Sequence, residues 1–131
     1  MQKRSLRHVA RWCKQTPMDL AQEWLSLDTN AATRREIEEM VAANDTAGLD
    51  ERLGKRLAFG TAGLRGPMGA GYSRMNEVVI LQTTHGICTH LLQDLGPDEA
   101  RRRGAVVAFD ARHNSKAFAA TATSVFQQYG L

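Results

Sequence analysis

Five glycines fall within twelve positions of the segment LAFGTAGLRGPMGAGYSRM: Gly60, Gly63, Gly66, Gly69 and Gly71, with Arg65 among them. Glycine admits positive φ and lets backbone N–H groups approach an anion closely, which is how proteins cradle phosphate. The planar guanidinium of Arg65 adds a fork suited to bidentate contact with a phosphate or a carboxylate. The spacing matches neither a Walker A loop nor GxGxxG. On spacing alone the glycines serve equally well as tight turns.

A second cluster lies in FDARHNS, where Asp110 is followed by Arg112, His113, Asn114 and Ser115. A carboxylate at the C-terminal end of a strand stands where α/β sheets place ligand sites. The local alternative, which we favour, pairs Asp110 with Arg112 and uses Asn114 or Ser115 to cap the following helix. Other reactive residue types are scattered. His85 and His90 are five apart rather than the four that sets two ligands on one helix face, so no metal site is indicated. Cys88 adjoins an apolar stripe and reads as core rather than nucleophile. Cys13 and Cys88 show no CxxC spacing, which excludes a disulfide framework or a cysteine zinc site and makes a reducing compartment the default. No serine carries GxSxG.

The elements that must position these groups follow from local signals. Thr16, Pro17 and Asp19 have the form of a helix start, with Leu20, Trp24 and Leu27 on its apolar face. After Asp28-Thr29-Asn30 a second helix turns Ile37, Met40 and Val41 inward and Glu36, Glu38 and Glu39 toward water. A short helical turn is expected from Asp50 to Arg56. Asn76 caps a long helix with Ile80, Thr84, Ile87, Leu91 and Leu95 on its buried stripe. Pro97 to Arg103 reads as a polar connection. GAVVAFD, residues 104–110, has the form of a strand covered on both faces. The last helix carries Phe118, Ala122, Val125 and Tyr129 on one face and ends at Gly130. The fold class is therefore α/β: a helical lead-in, then strand-helix-strand-helix. The expected divisions are a basic extension over 1–15, a helical lead-in over 16–56, and the α/β part over 57–131.

Composition limits the function classes. The 131 residues are 43% hydrophobic and 24% charged, which excludes a mainly disordered chain. No apolar run approaches the roughly 20 residues of a membrane span. The net charge of +3 hides a division: residues 1–14 hold five basic residues and no acid, while residues 15–56 hold nine acids against five bases. A basic balance that comes mostly from a short head argues against a nucleic-acid-binding domain. That head reads as a solvated extension. An organellar transit segment is the alternative, and the scarcity of serine counts against it.

EWLSLDTN, ERLGKRLAFGTAGLRGPMGAGYSRMNEVVILQTTHG and VVAFDARHNS together resemble the N-terminal part of the phosphohexomutase superfamily. The resemblance covers about residues 21–131 and points to the branch containing phosphoglucomutase/phosphopentomutase and glucose-1,6-bisphosphate synthase. It implies transfer of a phosphoryl group between the 1- and 6-positions of a hexose, or the 1- and 5-positions of a pentose. A phosphoserine, Mg²⁺ and a sugar bisphosphate would take part. Arg65 matches an arginine that contacts substrate phosphate at the cleft edge, and Thr61, Gly63 and Gly66 match the loop that shapes the approach. Asp110, Arg112 and Ser115 match a motif to which no catalytic role is carried over. The Thr-Ala-Ser-His-Asn-Pro nucleophile loop and the Asp-Gly-Asp-x-Asp-Arg metal loop do not occur in these residues. The expectation is thus an incomplete first domain, closing before the phosphoserine loop, inactive alone and needing the rest of a parent chain for a complete fold. No catalytic or metal-ligating residue is assigned, and a cytoplasmic location is expected. The alternative is a small self-standing module that binds phosphate or a partner.

Overall fold

The computed structural model describes residues 15–131 and falls into two compact units, the first ending at Met75 and the second spanning Asn76–Leu131. The basic head, with Leu6, Val9, Trp12 and Cys13, lies outside the described residues.

The first unit opens with α1 (Pro17–Leu27), α2 (Ala31–Ala42) and α3 (Thr46–Leu53). α1 starts as its sequence dictates. The Thr16 hydroxyl accepts from the Asp19 N–H at 3.2 Å, and the Thr16 N–H donates to the Asp19 carboxylate at 2.9 Å, which closes a capping box. Leu20, Ala21 and Trp24 are buried, but Leu27 is 47% exposed and leaves the expected stripe. The chain turns out of the helix there, and Asp28 takes the interior place. Its buried carboxylate accepts from Trp24 Nε1 at 3.1 Å, Thr33 Oγ1 at 2.6 Å and the Asn30 N–H at 3.0 Å. Every donor is close in sequence, so a buried carboxylate is satisfied by a helix junction.

Asn30 caps α2 by accepting from the Ala32 N–H at 2.9 Å. Arg34 reaches back to the carbonyls of Leu25 and Asp28, groups that a helix end otherwise leaves unpaired. Ile37 is fully buried. α3 begins at Thr46 and ends at Leu53, earlier than the expected 50–56. Asp45 is its cap, accepting from the Gly48 N–H at 2.9 Å, so the helix starts four residues before the expected Asp50. Leu49 and Leu53 complete the core beneath α1.

A minimal hairpin follows: β1 (Phe59–Gly60) pairs antiparallel with β2 (Gly63–Leu64), in the register Phe59 to Leu64 and Gly60 to Gly63. Residues 69–75 then form a turn against α3. The Ser73 N–H donates to the Arg52 carbonyl at 3.0 Å, and Ser73 Oγ donates to the Glu51 carbonyl at 3.0 Å. Tyr72 is buried edge-on against Trp24, centroids 5.1 Å apart, with the Arg56 guanidinium 4.5 Å over its ring. Burial and the negative charge of Glu23 push the Tyr72 hydroxyl up to about 12, and Arg56 opposes them.

The second unit contains α4 (Glu77–Leu95), α5 (Pro97–Arg103) and α6 (Ser115–Gln128). Asn76 caps α4 as expected, accepting from the Val79 N–H at 3.0 Å. The buried line of α4 runs through Val78, Val79, Thr84 and Cys88, while Ile87 is 37% exposed. Thr84 tolerates burial because its hydroxyl donates to the Ile80 carbonyl at 2.8 Å. Residues 97–103 form a helix rather than a connection. Pro97 stands in the first turn beside Asp98 and Glu99, and Arg101, Arg102 and Arg103 fill the last, a charge order that suits the helix dipole. Glu99 pairs with Arg102 at 2.6 Å and Arg103 at 2.6 Å, which holds its carboxyl below the usual range.

α6 packs on α4 through Val125 and ends in a Schellman turn. Gly130 has φ +71 and donates to the Gln127 carbonyl at 3.0 Å, and Leu131 donates to the Phe126 carbonyl at 3.0 Å. GAVVAFD forms no strand: Val106 is 98% exposed and Phe109 58%. A strand exists only with a partner ladder, and no described segment pairs with residues 104–110. Among the described residues no helix is long and apolar enough to cross a membrane.

Candidate functional site

The five glycines of the segment do not share one backbone conformation. Gly63, Gly69 and Gly71 adopt positive φ, while Gly60 and Gly66 do not. Thr61 and Ala62 keep negative φ at the hairpin tip, so the left-handed position falls on Gly63, at φ +90. That is the arrangement of a hairpin whose turn is followed by a glycine in the left-handed region. Thr61 is exposed at the tip, Gly63 lies in β2, and Arg65 and Gly66 follow directly, both exposed. Among the described residues Arg65 has no hydrogen-bond or ion-pair partner. The tight-turn reading therefore describes the backbone, and Arg65 is the cation it presents.

The second cluster takes its local form. Arg112 Nε donates to Asp110 Oδ2 at 2.8 Å, and the Arg112 N–H donates to Asp110 Oδ1 at 3.1 Å. With the Arg112 N–H first among the causes, these bonds hold the Asp110 carboxyl below the usual range. Ser115 does not cap α6 in the expected way, since its hydroxyl accepts from the Asp110 N–H at 3.2 Å. Asn114 occupies the cap position at φ +63 and makes no capping bond through its side chain. The left-handed backbone turns that side chain away from the first-turn N–H groups.

His85 Nδ1 lies 3.1 Å from the Tyr129 hydroxyl, and His90 is exposed. Cys88 is fully buried, and burial pushes its thiol up, away from nucleophilic character. Among the described residues no group of three or more His, Cys, Asp or Glu side chains could hold a metal ion. The Mg²⁺ implied by the resemblance thus has no ligand set in these residues.

One arrangement escaped the sequence reading. Glu36, expected to face water, pairs with Arg52 at 2.6 Å and also accepts from the Ala70 N–H at 3.3 Å. Arg52 donates in turn to the Ala70 carbonyl at 3.3 Å. These partners are 16 and 34 residues from Glu36, and no local pattern announces them. The pair borders a cleft of about 310 Å³ lined by Glu36, Glu39, Met40, Ala43, Asp45 and Arg52.

An exposed arginine behind a glycine hairpin, in an α/β chain, defines a candidate anion-contacting domain. The family model for phosphoglucomutase/phosphomannomutase, alpha/beta/alpha domain I, matches residues 56–131, and the chain belongs to that family. The matched residues include the hairpin, Arg65 and the 69–75 turn. The chain is 39% identical to mouse phosphopentomutase over 115 residues, covering 83% of this chain and 18% of that protein. Against phosphoribomutase of Saccharomyces cerevisiae the identity is 39% over 103 residues, 79% of this chain and 16% of the relative. Against mouse glucose 1,6-bisphosphate synthase it is 37% over 90 residues, 69% of this chain and 14% of the relative. The chain thus spans less than a fifth of the length of these relatives. No solved structure matches it significantly.

Proposed function

We propose that these residues serve a phosphomutase acting on pentose or hexose phosphates in cytoplasmic carbohydrate metabolism, and that Arg65 contacts a phosphate of the sugar. The observation that carries the reading is Arg65 itself: exposed, without a partner among the described residues, and set by a hairpin inside the family match. Thr61, Gly63 and Gly66 shape the approach to it. The names of the relatives support the substrate class. Phosphoryl transfer needs a positioned acceptor, a metal charge and an activated group. The 131 residues hold neither a phosphoserine loop nor a metal loop, so we infer that they catalyse nothing by themselves. Mg²⁺ and a sugar bisphosphate belong to the proposed complete enzyme.

The test is a titration of the ¹⁵N-labelled chain with ribose 5-phosphate and with glucose 1-phosphate, followed at the Arg65 Nε–H resonance. Saturable shifts that disappear in the Leu64 and Gly66 amides of Arg65→Ala support the reading. In a complete enzyme the same substitution is expected to cost about 1.5–3 kcal/mol, roughly ten- to a hundredfold in activity. Lysine rescues only in part because it lacks the planar fork. Equal responses from wild type and Arg65→Ala refute the phosphate contact, and mutase turnover by the chain that vanishes in Arg65→Ala refutes its inactivity.

A further inference from the structure

The hairpin that presents Arg65 has almost no core of its own. Phe59 is 66% exposed, and Gly60, Thr61 and Ala62 are exposed as well. Two strands of two residues do not hold a fixed place unaided. The backbone bonds that tie the loop to the rest of its unit leave from its two ends. The Leu57 N–H donates to the Tyr72 carbonyl at 3.1 Å, and the Pro67 carbonyl accepts from the Met75 N–H at 2.8 Å. Both anchors belong to the 69–75 turn. Where that turn sits, the hairpin sits.

Beside Ser73 on the Glu51 carbonyl, the Arg74–Glu51 ion pair at 2.6 Å and buried Tyr72, two side chains from different helices hold the turn at Ala70. Glu36 on α2 and Arg52 on α3 meet at 2.6 Å, and Ala70, buried in the turn, bonds to both: its N–H to Glu36 and its carbonyl to Arg52. The Arg52 backbone carbonyl takes the Ser73 N–H from the same turn. The pair is half-buried, with Arg52 and Glu36 side chains 23% and 39% exposed, and each partner also holds a backbone group. Charge-assisted bonds with several partners fix geometry more firmly than an isolated surface pair.

We propose that Glu36 and Arg52 are positioning residues for the Arg65 loop, acting through Ala70 and the 69–75 turn without touching phosphate. The proposal rests on the reading of Arg65 as the phosphate contact. It assigns the acidic side of α2 a part in substrate binding.

The test uses the ¹⁵N-labelled chain with Glu36→Ala, Glu36→Gln, Arg52→Met and Arg65→Ala. Amide hydrogen exchange is measured without ligand, and inorganic phosphate is titrated while the Leu64 and Gly66 amides are followed. In Glu36→Ala, exchange at Leu57, Ala70 and Met75 is expected to rise about tenfold or more while Leu20 and Trp24 in α1 keep their protection. Phosphate binding weakens about threefold or more, and Glu36→Gln, which keeps an acceptor for Ala70, restores most of both. If Glu36→Ala does not fold, Arg52→Met carries the same comparison from the other partner. Wild-type exchange at Leu57 and Met75 in Glu36→Ala and Arg52→Met overturns the proposal, as does equal acceleration throughout α1. Equal phosphate titrations for wild type and Arg65→Ala refute the Arg65 reading alone, and the exchange pattern still decides whether the pair holds the loop.

Discussion

Replacing Gly71 with alanine probes how closely the 69–75 turn is pressed onto α3. Gly71 has φ +113, and a Cβ placed there would lie 2.5 Å from the Arg52 carbonyl oxygen and 2.8 Å from Arg52 Cβ. A non-glycine residue in such a conformation costs about 1–3 kcal/mol. The contact adds to this, because the obstructing oxygen is helix backbone that already accepts the Ser73 N–H at 3.0 Å. It cannot swing aside as a side chain would, and overpacking of this kind costs about 1–3 kcal/mol. The expected loss is therefore about 2–6 kcal/mol, which lowers the urea midpoint by about 1 M or more at slopes usual for small proteins. Gly66→Ala is the control. Gly66 lacks positive φ, and its added Cβ would meet Leu57 Cδ2 at 2.8 Å, the end of a flexible side chain. That variant is expected to stay within about 1 kcal/mol of wild type. An unchanged midpoint for Gly71→Ala, or equal losses in the two variants, would refute the reasoning.

Further outcomes follow from single groups. Gly86 lies inside α4 with nothing within 4 Å of an added Cβ, so Gly86→Ala should stabilise by about 0.5–1 kcal/mol in urea unfolding, and a destabilised variant would contradict the packing. The Asp19 carboxyl lies below its ordinary 3.8 because the Thr16 N–H, and then its hydroxyl, bond to it. A depressed folded value means a contribution present above the unfolded pKa and lost as pH falls through the folded one. NMR titration should show the Asp19 midpoint below 3.8, rising only part of the way in Thr16→Ala because the N–H remains. In a Cys13→Ser background the buried, raised-pKa Cys88 should react with an aromatic disulfide reagent only on unfolding, and immediate reaction would place it at the surface.

What the sequence determined by itself is local or compact. Thr16 with Asp19, and Asn76 before Val79, announce helix starts because a cap and its target lie within three residues. Gly130 announces a helix end for the same reason, and FGTAGLRG with RMNE announces the family because the motif is contiguous. The Asp110–Arg112 pair was legible too, since its members are two apart. Even local signals were missed where composition misled. The start of α3 lies at Thr46, ahead of the expected Asp50, and a polar run disguised α5, although its acids-first, arginines-last order was there to read. Only the tertiary structure decided that Glu36 turns toward Arg52 and Ala70, that Leu27 stays exposed while Asp28 is buried, and that residues 104–110 pair with no described strand. Helix caps and stripes depend on neighbours within about one turn of chain, which any sequence displays. A strand or a half-buried ion pair depends on a partner brought from far along the chain, and packing alone supplies that partner.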